Sequence, residues 1–238
     1  MGQIDTDAST NALLKIAYGD GNVGSPSLAR LTGRRIPRRL SPDELESWIK
    51  QLQNGNADHA GMVARLLSLC SFNDVQKRAD SIVARFIKEI LVQKSASKAE
   101  ITNSYLSPQA LRLTQFLVAF LQFHDMSVVR SLQRSAKLQT DPAVLKWLKI
   151  GIGFAGDASV APELRLMVDQ EKDASTKAIA LRAYSRAANG EALPLLKRYL
   201  NDPTVTNQGM HGPQYGLQMV ARGEIARLQI KQSKPANP

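Results

Sequence analysis

From Asp74 to about Lys94, apolar residues recur at three- and four-residue steps: Val75, Ala79, Ile82, Val83, Phe86, Ile90 and Leu91. Lys77, Arg78, Arg85 and Lys88 fall between them. That spacing predicts a helix with one apolar face. The same periodicity predicts helices over about 57–70, 109–123, 127–137, 143–155, 160–169, 175–188, 191–200 and 214–230. Leu45, Trp48, Ile49 and Leu52 add a further stripe. No segment alternates apolar and polar residues as a half-buried strand does, so the expected class is all-α. Four dipeptides mark expected helix starts: Ser41-Pro42, Ser107-Pro108, Asp141-Pro142 and Asp202-Pro203. The first residue's oxygen accepts from free backbone N–H groups, and Pro at the first helical position lacks a donor that would be unpaired anyway. Glu44, three residues after Ser41, completes a capping box.

The chain also resembles itself. Shifted by 32 residues, Ala155–Asp169 falls on Ala187–Asn201, so that Pro162 meets Pro194, Leu164 meets Leu196, Arg165 meets Lys197 and Val168 meets Leu200. The caps Asp141 and Asp173 are separated by the same interval, and a shift of 34 brings Ser107-Pro108 onto Asp141-Pro142. Each unit is a helix, a short polar turn and a second helix with an early Pro. In Lys177-Ala-Ile-Ala-Leu-Arg-Ala-Tyr-Ser-Arg-Ala-Ala-Asn-Gly-Glu-Ala-Leu-Pro-Leu-Leu-Lys-Arg-Tyr-Leu-Asn-Asp202 this unit resembles a HEAT repeat of the short bacterial type. The resemblance covers about 141–202, extends back to 107 and, with an insertion, forward to 230. It implies an armadillo-like, right-handed α-solenoid whose extended surface binds other macromolecules. The expected organisation is a helix and a basic irregular segment in 1–40, a helical part without a defensible repeat in 41–106, HEAT-like repeats in 107–230, and a disordered tail in 231–238.

Composition narrows the chemistry. One cysteine, Cys70, excludes an internal disulfide and any multi-cysteine metal site, and its apolar helical surroundings read as a buried structural thiol. His59, His124 and His211 are far apart in sequence, so no metal is expected. Gly151-Ile-Gly-Phe-Ala-Gly156 matches the dinucleotide fingerprint in letters. However, Val144, Leu145, Leu148, Ile152 and Ala155 follow helical steps, and no second strand exists to build a sheet. These glycines read instead as points where neighbouring helices approach closely. No cofactor is expected. The chain contains no G-x-S-x-G, H-E-x-x-H, Walker A or His-Glu pattern, and Asp141, Asp157 and Asp173 fall where caps belong. The longest apolar run, Phe116–Leu121, is too short to cross a membrane. The first ten residues hold no signal-peptide core, although Met1–Thr6 fits the loose myristoylation pattern and a trimmed export signal is compatible with such a start. The single cysteine does not separate the cytosol from an exported compartment.

Charge changes the picture most. Lys and Arg number 31 against 21 Asp and Glu, a net charge of +10. Residues 107–238 hold 17 basic and 10 acidic side chains, so most of the excess lies in the repeat region. Arg30, Arg34, Arg35, Arg38 and Arg39 fall within ten residues without an acid. Arg130, Arg134 and Lys137 form a stripe opposite Val129, Leu132 and Ala136, and Arg165 and Lys197 share a repeat position. The 202–216 segment is too long for an ordinary interhelix turn and offers Met210, His211 and Tyr215 as contact residues. The expectation is a non-enzymatic scaffold or adaptor that binds a protein, an acidic one being favoured by charge, through Arg130, Arg134, Lys137, Arg165, Lys197, Met210, His211 and Tyr215. The alternative is nucleic-acid binding by the same basic face. That alternative includes a resemblance in length and basicity to HEAT-like alkylpurine DNA glycosylases, which requires a Trp/Asp pocket; Trp48 and Trp147 both lie in stripes that read as core.

Overall fold

A computed structural model of the chain describes residues 41–69, 75–93, 106, 108–123, 126–209 and 212–233. The described residues are overwhelmingly helical, and the class is all-α. The helices are α1 (Pro42–Asn54), α2 (Ala57–Leu69), α3 (Val75–Gln93), α4 (Pro108–Gln122), α5 (Ser127–Leu138), α6 (Pro142–Phe154), α7 (Ala161–Gln170), α8 (Ala174–Ala188), α9 (Leu193–Arg198) and α10 (Gly216–Ser233). Single 3-10 turns, Ala158–Val160 and Asn189–Ala192, lead into α7 and α9.

The start signals act locally where they succeed. Asp141 Oδ1 accepts from the N–H groups of Ala143 and Val144 at 2.9 and 3.3 Å, with Pro142 at the first helical position. Asp173 Oδ1 accepts from Thr176 N–H at 2.7 Å. Each bond satisfies a donor that the helix itself leaves unpaired. Asp202-Pro203 behaves otherwise, and the expectation that it opens a helix is corrected. Asp202 Oδ1 accepts from Thr204 N–H at 2.8 Å and caps a turn, while α10 begins only at Gly216.

The connection between α9 and α10 corrects a second expectation, because it contains strands. β1 (Asn207–Gly209) and β2 (Gly212–Gln214) pair antiparallel, with Asn207 opposite Gln214 and Gly209 opposite Gly212. Thr206 fastens the base of this hairpin. Its N–H and Oγ1–H both donate to Gln214 O, at 2.8 and 3.0 Å, and its Oγ1 accepts from Gly216 N–H at 2.9 Å. Ser175, at the head of α8, donates to Thr206 O at 3.0 Å. The tail is corrected in part as well: α10 carries the helix on through Ser233, and Lys231 in its last turn donates to Asn189 Oδ1 at 3.2 Å.

A single hydrophobic core runs from Leu45 on α1 to Leu228 on α10. At one end α3 meets α4 through Phe86, whose ring stands edge-on to Phe120 at 5.2 Å. Toward the other end small residues replace aromatics. Ala178, Ala180, Ala183 and Ala187 of α8 are all buried, because α6, α7 and α10 each pack against this helix. Thus α6, α8 and α10 lie side by side in chain order, while α5 packs on α6, α7 on α8 and α9 on α10.

The glycine-rich run lies on α6 and its exit, and it has the packing role the periodicity assigns. A Cβ on Gly151 would lie 3.2 Å from both Leu132 Cδ2 and Phe120 Cε2. A Cβ on Gly153 would overlap Leu164 Cδ1 and lie 3.1 Å from the Ala183 carbonyl. Gly156 takes a φ of +85° in the turn that ends α6, a conformation glycine adopts without strain.

Candidate functional site

An open groove of about 620 Å³ lies between α6 and α7. Two facing helical stripes line it: Pro142, Leu145, Lys146 and Lys149 from α6, and Glu163, Leu166, Met167 and Gln170 from α7. It forms because α7 leans on α8 more extensively than on α6, its own hairpin partner. Leu164 and Val168 of α7 are turned inward and buried, which leaves Leu166, one step round the helix, 56% exposed over the groove. The floor is therefore apolar and the rim charged.

Two ion pairs cross the groove. Lys146 Nζ lies 2.9 Å from Glu171 Oε2, and Lys149 Nζ lies 2.5 Å from Glu163 Oε2. Burial alone would push the Glu171 carboxyl up, but Lys146 and the N–H groups of Asp173 and Lys172 outweigh it and hold the group below the ordinary glutamate range. Glu163 is half-exposed, so its pairing with Lys149 is readily exchanged for another carboxylate.

None of the five cations singled out from sequence is among the residues that line this groove. Arg130, Arg134 and Lys137 are exposed on α5, opposite buried Val128, Val129 and Leu132. Arg134 is not an isolated cation, since its Nη2 lies 2.6 Å from Asp80 Oδ1 of α3. Burial raises Asp80, but hydrogen bonds from Ser131, Gln76 and Arg134 prevail and hold it below the ordinary aspartate range. Arg165, on α7, pairs with Asp169 at 3.1 Å, and Asp169 together with Tyr184 favours its charged form. Lys197 is exposed in the last turn of α9. Tyr215 is partly exposed at the foot of the hairpin. Met210, His211, His124, Cys70, the arginines of 30–39 and the rest of 1–40 lie outside the described residues, as does the Glu44 side chain of the capping box.

No protein-family model, curated protein or solved structure matches this chain. The site is therefore read from its own chemistry. Among the described residues no group of three or more His, Cys, Asp or Glu is placed to hold a metal ion. Trp147 is buried and Trp48 packs on the core, so neither lines the groove. Among the described residues no helix is long and apolar enough to cross a membrane.

Sequence reasoning missed the groove, although its signal was present. Leu145 and Lys149, and Leu166 and Gln170, are spaced by four residues on adjacent helices. What could not be read was the lean of α7 toward α8, which opens one side of the hairpin. A second feature was also missed: Glu224 of α10 is buried among Arg182 and Arg186 of α8 and Arg227 of its own helix.

Proposed function

We propose that the chain is an α-solenoid of HEAT-like helix pairs that works as a non-enzymatic adaptor, binding a segment of a partner protein along the groove between α6 and α7. The solenoid reading is supported by the side-by-side order of α6, α8 and α10, each joined to the next through a second helix or turn. The observation that carries the binding reading is Leu166, 56% exposed along an open groove beside the exchangeable Lys149–Glu163 ion pair. Such a groove suits a partner segment with two or three apolar side chains flanked by carboxylates, which would compete with Glu163 for Lys149. Protein is favoured over nucleic acid because Arg134 and Arg165, two of the five cations of the expected basic surface, already face Asp80 and Asp169.

The test is capture of the partner by full-length variants. Leu166→Asp is expected to abolish capture, whereas Met219→Asp, at an exposed residue of α10, a helix that contributes nothing to the groove lining, is expected to preserve it. Equal capture by the two variants refutes the groove. Replacing Arg130, Arg134, Lys137, Arg165 and Lys197 together with Ser is expected to weaken capture while the fold is retained; unchanged capture removes those cations from the surface. A gel shift with DNA or RNA at low salt, where phosphate contacts are strongest, is expected to show no complex.

A further inference from the structure

We infer that Arg182, Arg186 and Arg227 form a binding site for one doubly charged tetrahedral oxyanion of the phosphate class, on the seam between α8 and α10. Three guanidinium groups converge there on a single carboxylate. Arg182 Nε and Arg186 Nη2 donate to Glu224 Oε1 at 3.2 and 3.1 Å, and Arg227 Nε donates to Oε2 at 2.6 Å. Ser185 Oγ donates to the same Oε2 at 3.1 Å and accepts from Arg227 Nη2 at 3.2 Å. The carboxylate is saturated, and the cluster retains a charge of +2.

One arginine is enough to satisfy a buried glutamate and tie α8 to α10. The other two add repulsion: Arg182 and Arg227 each disfavour the charged form of Arg186, on top of its burial. They also leave donors over. Among the described residues, Arg182 Nη1 and Nη2, Arg186 Nη1 and Arg227 Nη1 have no protein acceptor, and the buried Nε of Arg186 has none either. The three side chains are 21–31% exposed while Glu224 is 4% exposed, so the guanidinium groups meet solvent and the carboxylate does not. Glu224 acts as the brace that holds the forks in place. A dianion with four oxygens brings the site to neutrality and accepts from planar guanidinium pairs, whereas a monocarboxylate leaves one charge uncompensated.

The test uses the full chain and inorganic phosphate at constant ionic strength, observed by phosphorus NMR line broadening and by calorimetry. Saturable binding at one site per chain is expected, with sulfate competing and chloride not. Arg182→Gln, which leaves Glu224 two arginine partners, is expected to weaken binding at least about tenfold, as the loss of a charged hydrogen-bonding partner implies. Arg182→Lys, which keeps the charge without the fork, is expected to weaken it several-fold. Lys88→Gln, at an exposed lysine of α3, is expected to have no effect. A phosphoserine peptide compared with inorganic phosphate distinguishes the source: tighter binding of the peptide assigns the site to a phosphorylated chain, and equal binding to free phosphate. Absence of saturable broadening in the unsubstituted protein overturns the inference, and so does equal weakening by Lys88→Gln, which would mean diffuse attraction.

Discussion

Two glycine-to-alanine substitutions in this chain are expected to have opposite signs. Gly153 sits in the last turn of α6, and Gly223 lies midway along α10. Both lower helix propensity, and alanine recovers up to about 1 kcal/mol at such positions when nothing obstructs it. At Gly223 nothing lies within 4 Å of the added Cβ, so Gly223→Ala should stabilise the protein by about 0.5–1 kcal/mol. At Gly153 the added Cβ overlaps Leu164 Cδ1 and meets both the carbonyl and the Cβ of Ala183, at 3.1 and 3.2 Å. Leu164 is fully buried and has little room to turn, and the Ala183 atoms belong to a helix that cannot rotate away. Crowding a packed core by one carbon costs about 1–3 kcal/mol, which exceeds the propensity gain. Gly153→Ala should therefore destabilise by about 1–2 kcal/mol. Urea denaturation of the full chain at neutral pH measures both, read as a shift of midpoint at constant slope. Stabilisation by Gly153→Ala equal to that by Gly223→Ala would refute the close approach of α6, α7 and α8 at this point.

Two further outcomes are expected. Arg85 is buried, donates to the carbonyls of Leu52, Gln53 and Gly55 at the end of α1, and pairs with buried Glu89. Arg85→Ala strands that carboxylate and should cost about 3–5 kcal/mol in urea unfolding, while Arg85→Met with Glu89→Leu should cost clearly less, because no charge is left buried alone. At Glu224 burial pushes the carboxyl up, but Arg186, Arg227 and Arg182 together hold it below its ordinary value of 4.5. Its depressed folded value means that the stability it confers is present above the unfolded pKa and is lost as pH falls through the folded one. Glu224→Gln should thus be less stable than the unsubstituted protein at pH 7, with the gap closing below about pH 4; a gap independent of pH would show that the carboxylate charge is not what the arginines require.

The fold was legible where local chemistry decides it. Asp141 and Asp173 cap α6 and α8 with their own oxygens, and the stripe on α3 has one buried face, so their positions follow from residues a few steps apart. Asp202-Pro203 misled for the same reason: an aspartate oxygen caps a turn as readily as a helix, and Thr204, Val205 and Thr206 offer no apolar stripe to continue one. The glycine run was read correctly by its helical steps. The candidate sites were less legible because they are tertiary. Arg134 reads as a free cation until Asp80, 54 residues earlier, is brought to it. Glu224 looks like any glutamate on a polar helix until α8 carries two arginines to meet it.

Thr206 ties the ends of the hairpin to each other and, through Ser175, to the head of α8. The paired strands, Asn207–Gly209 and Gly212–Gln214, extend from that tie, so the closure is made at the base of the hairpin. How far the first turn of α10 stands from the head of α8 is thus set by one threonine side chain and its neighbours, rather than by the length of the connection between the helices.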